Sequence, residues 1–324
     1  MLKVISFGEA LVDMLSNHIG GATDAPEAFT KFPGGAPANV AATVGLLGAP
    51  SYMVGKIGND MFGHFMRQSL QAAQVNTDYL LETNEAHTAL AFVSLDETGE
   101  RSFTFYRNPS ADMLYTADEY DDACFDNTGI FHLCSNTLTA EGIKAATMAG
   151  IEKAQANNVL ISFDVNLRTN LWPEGADPLP PIWEVLEQAD LIKLSVEEME
   201  FLCQGVTEAQ VIERMLSNKA QLILLTDGGA PLRYITRQGE GQVTPPKTTM
   251  VDSTAAGDCF IGGFLFKLAH QDVTTNNFVE LCNNTAQLES SLVFATHCGA
   301  HAVSKKGAFT SLPTMADLPE AVRV

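Results

Sequence analysis

Many short motifs of well-known enzyme classes are absent from this sequence of 324 residues. It has no GxxxxGK followed by Ser or Thr and no GxGxxG after its first apolar segment, which argues against a P-loop NTPase and a dinucleotide-binding dehydrogenase. It also lacks the HExxH pair of many zinc hydrolases and the GxSxG turn of serine hydrolases. The function of this chain therefore lies outside these classes.

Basic residues are scarce, with 19 Lys and Arg against 39 Asp and Glu and a formal net charge of -20. Because binding to a phosphate backbone generally needs a basic face, we expect no nucleic-acid partner. No apolar run reaches the length of a membrane span, and residues 1–8 lack the apolar core of a signal peptide. We expect no membrane partner and no export.

Cysteines are few and none occurs in CxxC spacing, which argues against a structural zinc site or a disulfide framework. Most lie within apolar segments, as expected of buried reduced thiols in the cytoplasm. The six are Cys124, Cys134, Cys203, Cys259, Cys282 and Cys298.

Strand-like and helix-like segments alternate from residue 130 to residue 226. Such βαβ units predict a mostly parallel sheet covered on both faces, with ligands at the carboxyl ends of its strands. Two other segments depart from this pattern: a polar excursion with Gly20, Gly21 and Pro26, and two apolar runs joined by residues 96–100, which read as a hairpin. Together they predict a small β-sheet outside the main layer.

Two stretches predict ligand contacts. Residues 34–39 combine two glycines, a proline at a helix start and Asn39, which suits a polyhydroxy ligand or, alternatively, a tight turn with an exposed Asn. Residues 252–258 place small residues and Asp258 at the start of a long apolar helix. Backbone N–H groups there favour an anion such as phosphate, with Asp258 as a base, although a simple helix cap gives the same pattern.

A third stretch, residues 195–200, places carboxylates in the first turn after a strand. These carboxylates could help to hold hydrated Mg²⁺ near phosphates, or they could reflect only the acidic bias of helix starts.

The combination of spaced motifs resembles the ribokinase-like (PfkB) family of sugar and nucleoside kinases over essentially the whole chain. The signatures are residues 34–39, with 55–60 and Gly63 downstream, and residues 252–258 in a form similar to DTxxGD. Within the family the chain is most similar to fructokinases, through residues 105–114, 163–168, 171–173, 305–308 and 312–313.

The resemblance implies a three-layer αβα fold with a mostly parallel central sheet and a small β-sheet lid. A single kinase domain would then span residues 1–324, with the lid formed by excursions at about 14–32 and 87–108.

The resemblance also implies ATP-dependent phosphorylation of a sugar hydroxyl. Asp258 would be the catalytic base, and the N–H groups of Ala255, Ala256 and Gly257 would form the anion hole for the transferring phosphoryl group. Ala255 stands where the family usually has Gly. The positions that match sugar contacts are Asp13, Gly34, Gly35, Asn39, Arg107 and Arg168.

On the nucleotide side, Ser195 and Glu198 match an NxxE-type motif near the phosphates and Mg²⁺, with Ser195 in place of Asn. Thr226 and Gly228 match the end of a nucleotide-binding strand. Asp252 and Thr254 match a monovalent-cation site of many members, so potassium dependence follows as a hypothesis.

Fructose is the predicted acceptor because residues 107–113 are the most specific match to the fructokinase subgroup. Kinases of 2-keto-3-deoxygluconate and of aminoimidazole riboside share similar motifs, and an acid substrate would pair with Arg107 or Arg168. A sugar-sensing protein without turnover is a further alternative, against which Asp258 and the intact small-residue cradle argue. The exposed apolar face of the small sheet predicts a homodimer contact.

Overall fold

The computed structural model describes residues 1–20, 26–95, 101–107 and 109–324. The strands are β1 (Lys3–Phe7), β2 (Leu11–Ile19), β3 (Phe29–Gly34), β4 (Ser51–Gly58), β5 (Val75–Asn76), β6 (Leu80–Thr83), β7 (Leu90–Leu95), β8 (Arg101–Tyr106), β9 (Thr128–Cys134), β10 (Leu160–Asp164), β11 (Leu191–Ser195), β12 (Leu222–Thr226), β13 (Leu232–Thr236) and β14 (Gly239–Val243). The α-helices are α1 (Ala36–Leu47), α2 (Met61–Ala72), α3 (Glu141–Ala156), α4 (Leu179–Leu186), α5 (Val196–Leu202), α6 (Glu208–Ser217), α7 (Ala256–His270), α8 (Phe278–Asn283) and α9 (Thr285–Val303).

The main sheet has the strand order β14-β13-β12-β11-β10-β9-β1-β4-β5, and β6 also pairs with β4. The pairs from β12 to β4 are parallel, whereas β13 and β14 form an antiparallel edge. The run of parallel strands confirms the predicted mostly parallel sheet.

Helices cover both faces of this sheet and so form three layers. Successive residues of β1 point to opposite faces, as strand geometry requires: Val4 belongs to the apolar cluster that includes residues of α1, α7 and α9, and Ile5 belongs to the cluster that includes residues of α3 and α4. Both are fully buried, which explains why the central strands are apolar without alternation. The layer order confirms the fold class inferred from the sequence.

The small sheet has the order β3-β2-β7-β8, with β2 and β7 parallel and the outer pairs antiparallel. It confirms the predicted small sheet, whose first strand begins at Leu11 instead of residue 14 because the chain leaves the main sheet directly after Gly8. The predicted hairpin turn at 96–100, the centre of the first excursion at 21–25, and Asn108 lie outside the described residues.

Short elements account for the other differences from the sequence prediction. Strands β5 and β6 have two and four residues, too few for a periodic signal. Across the described ranges, no helix is both long enough and apolar enough to span a membrane.

Candidate active site at the start of helix α7

The first turn of α7 presents backbone donors next to a carboxylate. Ala255 precedes the helix with φ 58° and ψ 10°, a left-handed conformation that costs a residue other than glycine about 1–2 kcal/mol. The Ala256 N–H donates a weak bond of 3.3 Å to the Ser253 carbonyl, whereas within the described residues the Gly257 and Asp258 amides donate to no backbone group. This turn can therefore receive an anion.

Asp258 is buried in that turn with 8% of its surface exposed. Its Oδ2 accepts a hydrogen bond of 2.7 Å from Asn39 Nδ2, and its Oδ1 accepts one of 3.1 Å from Asn166 Nδ2. Burial raises the pKa of Asp258, although the amide of Asn39 and the charge of Lys193 act in the opposite direction. The carboxylate is held in one orientation and is poised as a proton acceptor.

Two cavities meet at this turn. A cavity of about 570 Å³ is lined by Asp258, Asn39 and residues of the small sheet, including the stacked rings of Phe103 and Phe105. A second cavity of about 280 Å³ is lined by Ala256, Gly257, Thr226 and Gly228. Ser253 lines both, so the start of α7 lies between two binding spaces.

The predicted sugar contacts Asp13, Gly35 and Asn39 line the first cavity. A side chain at Gly34 would overlap the Asp13 carboxylate, and Gly35 has φ 98° with the Glu9 carbonyl where a Cβ would lie. These glycines therefore let the start of α1 approach Asp13 and Glu9 closely. The structure brings this predicted group together.

Several buried oxygens around the first cavity have no hydrogen-bond partner among the described residues. They are acceptors, and a ligand with many hydroxyl groups could supply their missing donors. The atoms are Glu9 Oε2, Asn39 Oδ1, Asn136 Oδ1 and Asn166 Oδ1. Burial raises the pKa of Glu9, while the charge of Arg107 opposes the shift.

The two predicted arginine contacts are placed differently. Arg107 is 5% exposed, and its Nε donates to Asp112 Oδ2 over 2.7 Å while its Nη atoms donate to Thr139 Oγ1 and the Asn136 carbonyl. Its guanidinium thus lies behind Asn136, one of the lining residues. Arg168 is exposed and lines the cavity itself.

Ser195 and Glu198 form the capping box of α5. The Ser195 hydroxyl accepts from the Glu198 amide over 3.2 Å, and Glu198 Oε2 accepts from the Ser195 amide over 2.8 Å. Glu198 Oε1 accepts from the Leu167 amide over 2.8 Å, which ties the end of β11 to the loop that follows β10. Both predicted phosphate contacts are therefore engaged in local hydrogen bonds.

Asp252 organises the loop before α7. Its Oδ1 accepts from the Thr254 amide over 2.9 Å and its Oδ2 accepts from the Gly307 amide over 2.8 Å. Within the described ranges, no group of three or more His, Cys, Asp and Glu side chains could enclose a metal ion.

Sequence reasoning missed three polar residues of the first cavity: Glu9, Asn136 and Asn166. Asn136 and Asn166 follow the buried strands β9 and β10, so the rule that ligands bind at the carboxyl ends of parallel strands could have found them. It also missed the buried pair Asp164 and Lys193 next to α7, for which a charged residue inside an apolar strand is the available signal.

The chain is similar to known proteins over nearly its whole length. A model of the pfkB family of carbohydrate kinases matches residues 1–315. The probable fructokinase-5 of Arabidopsis thaliana is 38% identical over 321 residues, covering 99% of this chain and 97% of the relative.

Two solved structures are also similar. The fructokinase of Xylella fastidiosa with bound ATP is 42% identical with a TM-score of 0.92, and it covers 96% of this chain and 95% of its own. The fructokinase of Vibrio cholerae O395, in a form with fructose, ADP and calcium ion bound, is 32% identical with a TM-score of 0.84. The match covers 98% of this chain and 97% of the Vibrio chain.

Proposed function

The chain belongs to the pfkB family of carbohydrate kinases, and we propose that it is a fructokinase that transfers the γ-phosphoryl group of ATP to a hydroxyl of fructose. The observation that carries the proposal is the position of Asp258. Its carboxylate is oriented by Asn39 and Asn166 at the junction of a polar cavity and a second cavity lined by small and apolar residues.

In this reaction Asp258 removes the proton from a primary hydroxyl of fructose as that oxygen attacks the γ-phosphorus. Phosphoryl transfer has a loose transition state, so positioning and charge neutralisation contribute more than the strength of the base. The amides of the predicted anion hole, Ala255, Ala256 and Gly257, joined by the Asp258 amide and the dipole of α7, stabilise the charge on the phosphoryl oxygens. Ala255 and Ala256 shape this turn.

The sugar lies in the first cavity, where its hydroxyl groups donate to the unpartnered oxygens of Glu9, Asn39, Asn136 and Asn166 and to Asp13. The burial of Arg107 favours a neutral sugar over an acid, since its charge is already paired with Asp112. We propose that Arg107 supports Asn136 from behind and that Arg168 contacts the ligand.

ATP occupies the second cavity, with Thr226 and Gly228 at the strand end that lines it. The surrounding small residues and Phe260 suit a flat base. Mg²⁺ would enter with the phosphates and neutralise their charge, since it prefers few carboxylates and several waters. Ser195 and Glu198 remain predicted neighbours of the phosphates.

The small sheet would close over the sugar and exclude water, because the rings of Phe103 and Phe105 line the cavity from that side. Its opposite face carries a row of rings, exposed Phe29, half-buried Phe92 and exposed Tyr106, joined by edge-to-face contacts. We propose that this row packs against a second copy of the chain in a homodimer. The free thiols of all six cysteines suit the cytoplasm as its compartment.

A substrate panel tests the proposed function. ADP release with Mg-ATP is measured for fructose, glucose, ribose, 2-keto-3-deoxygluconate and aminoimidazole riboside. We expect the highest kcat/KM with fructose. A higher value with another sugar would keep the kinase chemistry and overturn the acceptor, and no sugar-dependent ADP release would favour a sugar-sensing protein without turnover.

A further inference from the structure

We propose that Lys193 is a second charged group of the phosphoryl-transfer site, whose ammonium donates a hydrogen bond to the transferring phosphoryl group while Asp164 positions it. This inference rests on the proposed kinase function. Neither residue is among the described residues that line the two cavities, and the Lys193 ammonium lies beside the first turn of α7.

Lys193 lies directly against the turn that would receive the phosphoryl group. A Cβ placed on Gly257 would lie 3.0 Å from Lys193 Nζ and 3.7 Å from its Cε. Any side chain at residue 257 would therefore press on the ammonium. The close approach favours glycine at residue 257. It also brings a full positive charge to the first turn of α7.

Asp164 fixes the direction of that ammonium. The two residues are register partners on the parallel strands β10 and β11, and Lys193 Nζ lies 3.0 Å from both Asp164 Oδ1 and Oδ2. Their exposed fractions are 6% for Lys193 and 1% for Asp164. An ammonium has three N–H donors, and within the described residues Asp164 is the only side chain that accepts from this one.

The electrostatics of this arrangement keep Lys193 charged. A helix start carries a partial positive charge, so a lysine beside it needs negative groups nearby. Burial disfavours the ammonium, but attraction to Asp164 and Glu198 outweighs that effect and raises the pKa of Lys193. Within the described residues Lys193 donates to neither Glu198 nor Asp258, so its third N–H is open to a ligand.

Lys193 is better suited than Ser195 to contact the transferring phosphoryl group. Alternate residues of a strand point to the same face, so Lys193 and Ser195 share one face of β11. The Ser195 hydroxyl caps α5 by accepting from the Glu198 amide. A long cationic side chain two residues earlier can instead extend beneath the start of α7 to the phosphoryl position.

Phosphoryl transfer from ATP to fructose needs no reactant besides these two molecules. The bond from the fructose oxygen to the γ-phosphorus forms as the bond from that phosphorus to the β-phosphate oxygen breaks, and ADP leaves with that electron pair. The hydroxyl proton goes to Asp258. Lys193 exchanges no proton; its hydrogen bond strengthens as negative charge develops on the phosphoryl oxygens.

The test is Lys193→Met, with Lys267→Met as the matched control. Lys267 is another buried lysine, 8% exposed and 5.4 Å from the ring centre of Phe294, on a later turn of α7. We expect Lys193→Met to lower kcat by roughly 10²–10³-fold, the scale for losing one preorganised donor, with little change in the fructose KM. The control should keep the wild-type kcat.

Binding measurements separate direct contact from a structural role. ADP with aluminium fluoride and fructose mimics the transferring phosphoryl group, and Lys193→Met should bind this combination at least about tenfold more weakly while its ADP affinity is kept. Equal loss of both affinities, or a kcat within about threefold of wild type, overturns the inference.

Asp164→Asn keeps the inference testable if Lys193→Met fails to fold. This variant retains the ammonium but weakens its orientation, so kcat should fall by roughly tenfold while the fructose KM is unchanged. A change in the fructose KM alone would contradict the positioning role. A wild-type protein without sugar-dependent ADP release would overturn the proposed function instead, so the two failures are distinguishable.

Discussion

The side-chain amide of Asn39 donates a hydrogen bond of 2.7 Å to the Oδ2 atom of Asp258, although 219 residues separate them in the chain. The bond joins the starts of helices α1 and α7 and fixes a buried carboxylate between the two cavities. Such a contact depends on the fold of the whole domain.

The pH dependence of catalysis should report the burial of Asp258. Burial raises the pKa of this carboxyl, and a general base acts only when deprotonated, so activity should be lost as pH falls through a value above the ordinary ~3.9. The measurement is kcat/KM for fructose against pH. Asn39→Asp should move the acid limb to higher pH, because it adds a like charge and removes a donor.

The exposed Asn276→Asp serves as the matched control and should leave the acid limb in place. A wild-type acid limb at or below the ordinary carboxyl value, or an Asn39→Asp profile that coincides with wild type, would contradict the assigned base.

Substitution of Arg107 should lower the stability of the fold rather than weaken a direct contact with the sugar. Arg107→Met leaves Asp112 buried without its cation, so the free energy of unfolding should fall by about 3–5 kcal/mol, as measured by urea titration. Arg237→Met, which removes an exposed arginine bonded to the Asn218 carbonyl, should change it by less than about 0.5 kcal/mol. Unchanged stability with a raised fructose KM would instead support the direct sugar contact predicted from the sequence.

The fold was largely predictable because its signals are local and repeated. Alternating apolar strands and helices indicate a parallel sheet, and residues 34–39 and 252–258 are continuous stretches that lie at its ligand-binding edge. Strands β5 and β6 escaped prediction because pairing with β4, which is a tertiary contact, determines them.

The sequence motifs indicated which segments lie at the site, but not which side chains of those segments point into it. Asn166 lies two residues from Arg168 in the same segment, but the direction of the chain after β10 turns Asn166 towards Asp258 and leaves Arg168 exposed. Arg107 was expected at the sugar because it lies beside the small sheet. Its pairing with Asp112 depends on how residues 107–112 fold back, which no periodic pattern records.

Monovalent cations should affect turnover through the loop of Asp252. We expect kcat to be higher in KCl than in tetramethylammonium chloride by roughly fivefold or more, the scale of a coupled binding site, because a cation there would offset the negative charge of Asp252 and of the phosphates bound near the start of α7. Asp252→Asn should reduce this response. Equal rates in both salts at the same ionic strength would remove potassium from the account.

The apolar row on the outer face of the small sheet should hold two copies together. Tyr106 is 64% exposed, so Tyr106→Glu should convert a dimer of 34.9 kDa chains into monomers without disturbing the core, as measured by sedimentation velocity. Val206→Glu changes a residue that is 46% exposed in another part of the chain and should leave the dimer intact. A wild-type protein that sediments as a monomer would rule out the proposed contact.

The most direct test of the central claim is fructose-dependent ADP release by Asp258→Asn. The substitution keeps the size of the side chain and removes its basicity, so turnover should fall by roughly two to four orders of magnitude. Asp118→Asn, at an exposed position, should match wild type. Near-full activity of Asp258→Asn would show that the carboxylate held by Asn39 and Asn166 is not the base of this enzyme.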